Sequence, residues 1–270
     1  MKIKFNGRDF DTKLKNSLDF FQTVSKDESD VFIVNGFATK ENIELKEGDE
    51  LFCISKKTMP NKDELKAMMR ARHTPKLYDS LEKASVAVCG LGGLGSHIAI
   101  MLARSGIGTL HLIDFDTVEP SNLNRQAYNV DDLGKFKTEA LKEQISKINP
   151  FIKININTIK IEKENIKELF CNDDIVCEAF DNAVYKAMLA QNFHSFFKDK
   201  ILISASGLAG YGNSNLIKTR KIAKNFFVCG DLKSAARLGN GLIAPRVNIC
   251  AAHQANLVLE LLANKEYEEC

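Results

Sequence analysis

A chain of 270 residues, 44% hydrophobic and 27% charged, has the makeup of a globular protein with one large domain or two unequal ones, not of a disordered or fibrous chain. Lysine and arginine outnumber aspartate and glutamate by only 37 to 35, so no global charge bias points to nucleic acid or a membrane surface as partner. The N-terminus MKIKFNGRDF lacks the apolar stretch of a secretory signal, and no run approaches the ~20 apolar residues of a bilayer span; a cytoplasmic location is the expectation.

Residues 1–57 read as a small β-rich unit with one helix. Ile3 and Phe5 alternate with polar residues, Leu14, Leu18 and Phe21 recur at helical spacing, and VFIV at 31–34 precedes an Asn35-Gly36 turn. A Gly48-Asp49 turn then leads to a last strand, LFCI, at 51–54. A polar link from Lys56 to about Lys62 contains Pro60 and joins this unit to a charged helix, DELKAMMRAR, bounded by Pro75; linker and helix together are assigned to 58–83.

Over 84–270 strands alternate with helices, the pattern of βαβ units and a parallel sheet. Strands are expected at 85–89, 109–114, 152–157, 174–179 and 200–206, with helices at about 95–105, 136–148, 163–169 and 182–196 between them. Beyond a Gly-rich stretch, further strands are expected near 214–219 and 225–229, and a helix from about 246 to 263; 230–243 receives no assignment. The seven cysteines are an odd number, several lie in apolar runs such as SVAVC and DDIVC, and no CxxC pair occurs. Reduced core thiols and no structural zinc site are expected.

The strongest chemical signal is VAVCGLGGLGSHIAI, where Gly90, Gly92 and Gly95 form GxGxxG between a strand and a helix. The first glycine makes the tight turn, the second lets phosphate approach the backbone, and the third lets the helix pack closely on the strand. Asp114 closes the next strand 19 residues after Gly95, where a carboxylate can accept hydrogen bonds from a ribose. The loop that follows, IDFDTVEPSNLNRQ, adds Asp116, Asn122, Asn124 and Arg125. A nicotinamide cofactor has no use for an arginine and a second acid there, whereas ATP with Mg²⁺ does. Lys137 stands at the start of a helix, where the dipole disfavours a cation unless an anion is near; Lys135 is an alternative. Asp181 opens the helix after the fourth strand and reads as its N-cap, facing the same crevice.

With these residues assembled, the chain resembles the ubiquitin-activating-enzyme-like family, and within it the ThiF-type adenylyltransferases of sulfur-carrier proteins. The matching stretches are GLGGLGS, LIDFDTVEPSNLNRQ, GKFKTEAL with INP downstream, DN at 181–182, and GLIAPRVNICAAHQANLVLELL, together spanning about 65–264. The resemblance implies a doubly wound, Rossmann-like, mainly parallel α/β sheet, and an ATP site formed by Gly90, Gly92, Gly93, Gly95, Asp114 and Asp116. It further implies that Asn122, Arg125 and Lys137 meet the phosphates and that Asp181 holds Mg²⁺. A homodimer is implied as well, with Arg70 or Arg72 lent to the partner's site. The implied partner is a ubiquitin-like sulfur carrier ending in Gly-Gly; the carrier-like N-terminus favours thiamine thiazole synthesis as the pathway, with molybdopterin synthesis or another sulfur-transfer route left open.

The first 57 residues resemble a ThiS-type carrier of β-grasp fold through VNGFATKENIELKEGDELFCI, but the chain runs on as SKKTMP instead of ending in Gly-Gly, so this unit cannot itself be charged. Two other departures concern cysteines: the paired CxxC zinc motifs of relatives are absent, and position 237, where relatives carry a thiol that bonds the carrier, is Arg237. Cys229 is the nearest upstream thiol and the remaining candidate nucleophile. Two other functions are weighed against adenylation: a nucleotide-binding scaffold silenced by its fused carrier-like unit, and an NAD-dependent oxidoreductase.

Overall fold

The computed structural model describes residues 1–27, 29–55 and 59–264. The boundary read at 57/58, the start of the polar link and Cys270 lie outside the described residues. The chain divides into two compact units, Met1–Ser80 and Leu81–Cys270.

The first unit holds β1 (Lys2–Phe5), β2 (Arg8–Asp11), α1 (Ser17–Val24), β3 (Val31–Val34), β4 (Phe37–Ala38), β5 (Glu50–Ile54) and α2 (Lys62–His73), with α3 (Pro75–Lys83) following. Its sheet runs β2-β1-β5-β3-β4, with β1 and β5 side by side in parallel. Two Asn-Gly turns make the hairpins. Asn6-Gly7 and Asn35-Gly36 all have positive φ, as two-residue type I′ turns require. The first turn and β2 escape the sequence pattern because RDFD is exposed along its whole length and shows no apolar alternation. Ile3, Phe20, Phe21, Val34, Leu45 and Leu51 form the core, and Phe21 stacks on Phe32 at 4.4 Å. Leu14 lies before α1 but packs against the same cluster. An Asn61/Glu64 capping box opens α2. The charged helix ends before Pro75 as its sequence suggests: Thr74 breaks the chain at φ 73°, and Pro75 starts a second helix, α3, where a fixed φ and a missing N–H are both tolerated.

The second unit is a seven-stranded sheet of β6 (Ser85–Cys89), β7 (Thr109–Ile113), β8 (Lys153–Asn157), β9 (Ile175–Glu178), β10 (Ile201–Ala205), β11 (Lys218–Ala223) and β12 (Phe226–Gly230). Interleaved are α4 (Gly93–Ser105), α5 (Lys137–Ile148), α6 (Ile166–Leu169) and α7 (Ala183–Phe196), and α8 (Ala244–Asn264) closes the unit. The order β11-β12-β10-β9-β6-β7-β8 is parallel except for β11 and reverses direction across β6 and β9. Ligand crevices of such sheets open at that reversal, beyond the carboxyl ends of the strands. Burial explains the continuous apolar runs: β6, β7, β9 and β10 are covered on both faces, and Val86, Ala87, Val88 and Cys89 are inaccessible. The stretch left unassigned, 230–243, opens with Gly230, the last residue of β12, and beyond it contains only an isolated Arg237–Asn240 bridge.

A buried histidine interrupts this core. His111 on β7 is buried between Asp173, whose Oδ2 lies 2.8 Å from Nδ1, and Asn157, whose Oδ1 lies 2.8 Å from Nε2; Ser85 Oγ donates to the other oxygen of Asp173 at 2.9 Å. Burial alone depresses the imidazole pKa, but the hydrogen bond and charge of Asp173 and the bond to Asn157 carry it above its ordinary value. A raised folded pKa means a contribution fully present below the unfolded value of about 6.5 and lost as pH rises through the folded value. In urea unfolding, His111→Gln is expected to lose most stability relative to wild type near pH 6, with the gap narrowing toward pH ~9. A gap independent of pH would show that the pair carries no charge.

Candidate functional site

Everything the sequence marked as nucleotide chemistry in the second unit follows the carboxyl ends of β6, β7 and β9. After Cys89 the chain turns at Gly90 with φ 83°, and the amide of Gly90 donates to the carbonyl of Ile113 at 2.8 Å. A side chain at Gly90 would press on Ala179 and Phe180, and at Gly95 a methyl group would sit 1.8 Å from the carbonyl oxygen of Gly90. Gly95 therefore serves the packing of α4 on the turn. Gly92 is different: it caps α4 without a side chain, and the nearest atom to an added Cβ is Gln126 Nε2 at 3.8 Å. The first-turn amides of α4 have no side-chain cap, and that helix end favours an anion.

Asp114 fixes this turn. Its Oδ2 accepts from the amide of Leu91 at 2.6 Å and its Oδ1 from the amide of Asp116 at 2.9 Å. Burial raises its pKa, opposed by Lys137 and by the two amides. Tyr128, buried, donates to the carbonyl of Leu91 at 2.8 Å and clamps the same loop from the other side. Lys137, the first residue of α5, is 6% exposed and reaches Asp116 Oδ2 at 2.9 Å. A buried cation at a positive helix end is held by that carboxylate and remains available to a stronger anion.

Gly90, Gly92, Gly93, Asp114, Asp116, Arg125, Lys137 and Asp181 all line one cleft of about 440 Å³. Arg125 donates through Nη1 to the carbonyl of Ser121 at 3.2 Å and to Asn124 Oδ1 at 2.8 Å, while its buried Nε has no partner. Asn122 and Gly95 do not line the cleft. The Asn122 side chain is spent in its own turn, with Oδ1 accepting from the amide of Glu119 at 3.1 Å, and its carbonyl accepts the amides of Arg125 and Gln126. It braces the loop that presents Arg125. The helix cap read at Asp181 belongs to Asn182, whose Oδ1 accepts from the amide of Val184 at 2.8 Å. Relieved of capping, the exposed Asp181 carboxylate has no partner among the described residues.

Two buried ion pairs at the back of the cleft were missed. Glu178, at the end of β9, pairs with Lys186 at 2.8 Å, and Lys186 lines the cleft. Asp231 pairs with Arg246 at 2.6 Å. Burial pushes the Asp231 carboxyl up, but bonds from the Ser234 hydroxyl, the amides of Ser234 and Lys233, and Arg246 bring it down to about 2. Arg246 also donates to the carbonyls of Gly212 and Asn213, tying down the segment that carries Gly207, Leu208 and Ala209 of the cleft wall. A carboxylate inside the apolar run DIVCEAF and the arginine of GLIAPRVN were the available signals.

Residues 65–269 match the model of the ThiF family, and residues 1–57 match a ThiS-like ubiquitin. The chain belongs to the ThiF family.

Among curated proteins, this ThiF-family chain is 32% identical over 200 residues to the adenylyltransferase and sulfurtransferase MOCS3 of Dictyostelium discoideum, covering 69% of this chain and 45% of that protein. It is 40% identical over 119 residues to the tRNA threonylcarbamoyladenosine dehydratase of Haemophilus influenzae, covering 43% of this chain and 46% of that one. The chain thus spans less than half the length of these relatives. The same fold occurs in E. coli tRNA N6-threonylcarbamoyladenosine dehydratase in complex with ATP, with TM-score 0.66 and 23% identity over 73% of this chain and 93% of that one.

Arg70 is ion-paired within the first unit to Asp79 at 3.3 Å and Glu50 at 3.8 Å, and Arg72 is exposed on α2. Cys229 is inaccessible on β12, 3.6 Å from Thr219 Oγ1, and burial pushes its thiol up to about 11. A thiol so placed is a poor nucleophile.

Asp114→Asn offers only one acceptor oxygen to two amides, leaving a buried donor unsatisfied at a cost of about 1–3 kcal/mol. Urea unfolding of the ThiF-family chain is expected to show that loss, and calorimetry is expected to show no ATP binding. Retention of both stability and binding would mean that the carboxylate does not organise the turn.

Proposed function

We propose that the chain adenylates the C-terminal glycine carboxylate of a ubiquitin-like sulfur carrier ending in Gly-Gly, using ATP and Mg²⁺, in the assembly of the thiamine thiazole. The observation that carries this reading is the convergence of an uncapped helix end, two cations and an unpartnered carboxylate on one cleft. Asp114 and the glycine turn receive ribose and phosphates, and Arg125 and Lys137 stabilise charge that grows on the phosphates. The described residues hold no group of three His, Cys, Asp or Glu side chains around a metal position. Mg²⁺ needs only one or two carboxylates beside phosphate oxygens and water, and Asp181 fits that requirement; the ion supplies neutralisation of the departing pyrophosphate.

In the reaction, a carboxylate oxygen bonds to the α-phosphorus, the bond to the bridging oxygen breaks, and pyrophosphate leaves with the electron pair. No protein nucleophile takes part, in keeping with the buried Cys229. The ThiS-like match over 1–57 favours a carrier of the same shape as acceptor, and the working form we propose is a homodimer of this chain. The match to a threonylcarbamoyladenosine dehydratase supports a second acceptor class, the carboxylate of a modified nucleoside.

Exchange of pyrophosphate into ATP, dependent on a Gly-Gly-ended carrier, tests the reading. Arg125→Ala and Lys137→Ala are each expected to lower the exchange rate about 10²–10³-fold, the loss seen when a preorganised donor is removed. Undiminished exchange in Arg125→Ala would exclude that residue. Tight ATP binding with no exchange for any carrier would favour the silent scaffold.

A further inference from the structure

The adenylation reading leaves one charged pair at the cleft without a role. Glu178 is fully buried and its carboxylate is saturated: Oε1 accepts from the amide of Phe180 at 2.7 Å and from Lys186 Nζ at 2.8 Å, and Oε2 accepts from the Ser204 hydroxyl. Lys186 also donates to the carbonyl of Ala205 at 3.0 Å. Two of its three N–H donors are thereby fixed. The third has no partner among the described residues, and Lys186 lines the cleft with its side chain 23% exposed. A charge pair buried this deeply is seldom the most stable filling for a core, since apolar residues of similar volume usually serve as well. Its cost suggests that the ammonium is wanted at the cleft.

Position across the sheet says for what. In the order β8-β7-β6-β9-β10, Asp114 and the Lys137–Asp116 pair stand at the end of β7 and the glycine turn at the end of β6. Lys186 stands beyond them, between the ends of β9 and β10. Past it the wall consists of Ala205 to Ala209 and Ser234 to Ala236, with no charged side chain. Of the cleft-lining cations Arg125, Lys137, Lys160 and Lys186, only Lys186 is anchored on β9 and β10, away from the turn that holds the nucleotide. That is the side left open to the second substrate.

Resting on the adenylation reading, we propose that Lys186 receives the acceptor carboxylate and orients it for attack. Its third N–H donates to one carboxylate oxygen while the other oxygen bonds to the α-phosphorus; the bond from that phosphorus to the bridging oxygen breaks, pyrophosphate takes the electron pair, and no proton leaves Lys186. Glu178 is a positioning residue. By cancelling the ammonium's net charge it lets Lys186 aim the carboxylate without holding it in a full ion pair, which would blunt its nucleophilicity.

The test uses the full chain with MgATP and a ThiS-type carrier protein ending in Gly-Gly. Lys186→Met alone would strand a buried charge, so the variants are the double change Lys186→Met with Glu178→Gln, and Lys186→Arg. The double variant is expected to bind MgATP in calorimetry as wild type does. In pyrophosphate exchange it is expected to show a carrier KM raised about tenfold and a lowered kcat, with Lys186→Arg recovering most of both. Weakened MgATP binding with an unchanged carrier KM would assign Lys186 to the triphosphate and overturn the proposal, as would unchanged carrier kinetics in both variants. Absence of carrier-dependent exchange in the wild type would instead remove the adenylation reading, and this proposal with it.

Discussion

The hydrogen bond from the amide of Leu91 to the buried carboxylate of Asp114, 2.6 Å long, holds the glycine turn of β6 against the end of β7. Without it the turn would present a buried donor to an apolar wall, and the uncapped first turn of α4 would have no fixed direction. The neighbouring features answer to the same constraint. Tyr128 grips the carbonyl of Leu91, Gly95 lets α4 sit directly on Gly90, and the amide of Asp116 takes the second Asp114 oxygen, bringing the Asp116–Lys137 pair to the rim. One carboxylate thus sets both the shape of the glycine turn and the place of its nearest cation.

Charge in the cleft is arranged so that each cation is held by an acid of its own or by backbone. Lys137 has Asp116, Lys186 has Glu178, and Arg125 rests on Asn124 and the carbonyl of Ser121. Such pairs are costly to bury and gain little stability for it. What they achieve is preorganisation: each donor is held in a fixed position, which on the proposed reading leaves little reorganisation when an anion arrives. The Asp231–Arg246 pair does the same for the wall, where it fixes a loop of small residues by four further hydrogen bonds to backbone.

The first unit is stabilised on different terms. Its sheet is short and its core rests on phenylalanines, with Phe21 set against both Phe20 and Phe32 and two Asn-Gly turns setting the hairpin registers. It carries the ThiS-like shape without a Gly-Gly end, since the chain continues past Ile54 toward α2.

Much of the second unit was readable from local pattern, because strands buried on both faces must be continuous apolar runs and a glycine turn before a helix has few other uses. That is why β6 was placed to the residue and Asp114 was singled out. β2 was not readable, since an exposed strand leaves no apolar trace, and neither was the switch from Asp181 to Asn182 as the cap of α7, because adjacent Asp and Asn cap equally well. Asn122 looked like a ligand only because it lies among ligands in sequence; the turn consumes its side chain. Sequence alone thus determined the family, the parallel sheet and the glycine–acid signature, all of which depend on residues near one another in the chain. The pairings of Glu178 with Lys186 and Asp231 with Arg246, and the burial of Cys229, were decided by tertiary structure, because burial and partner choice depend on which strands lie side by side.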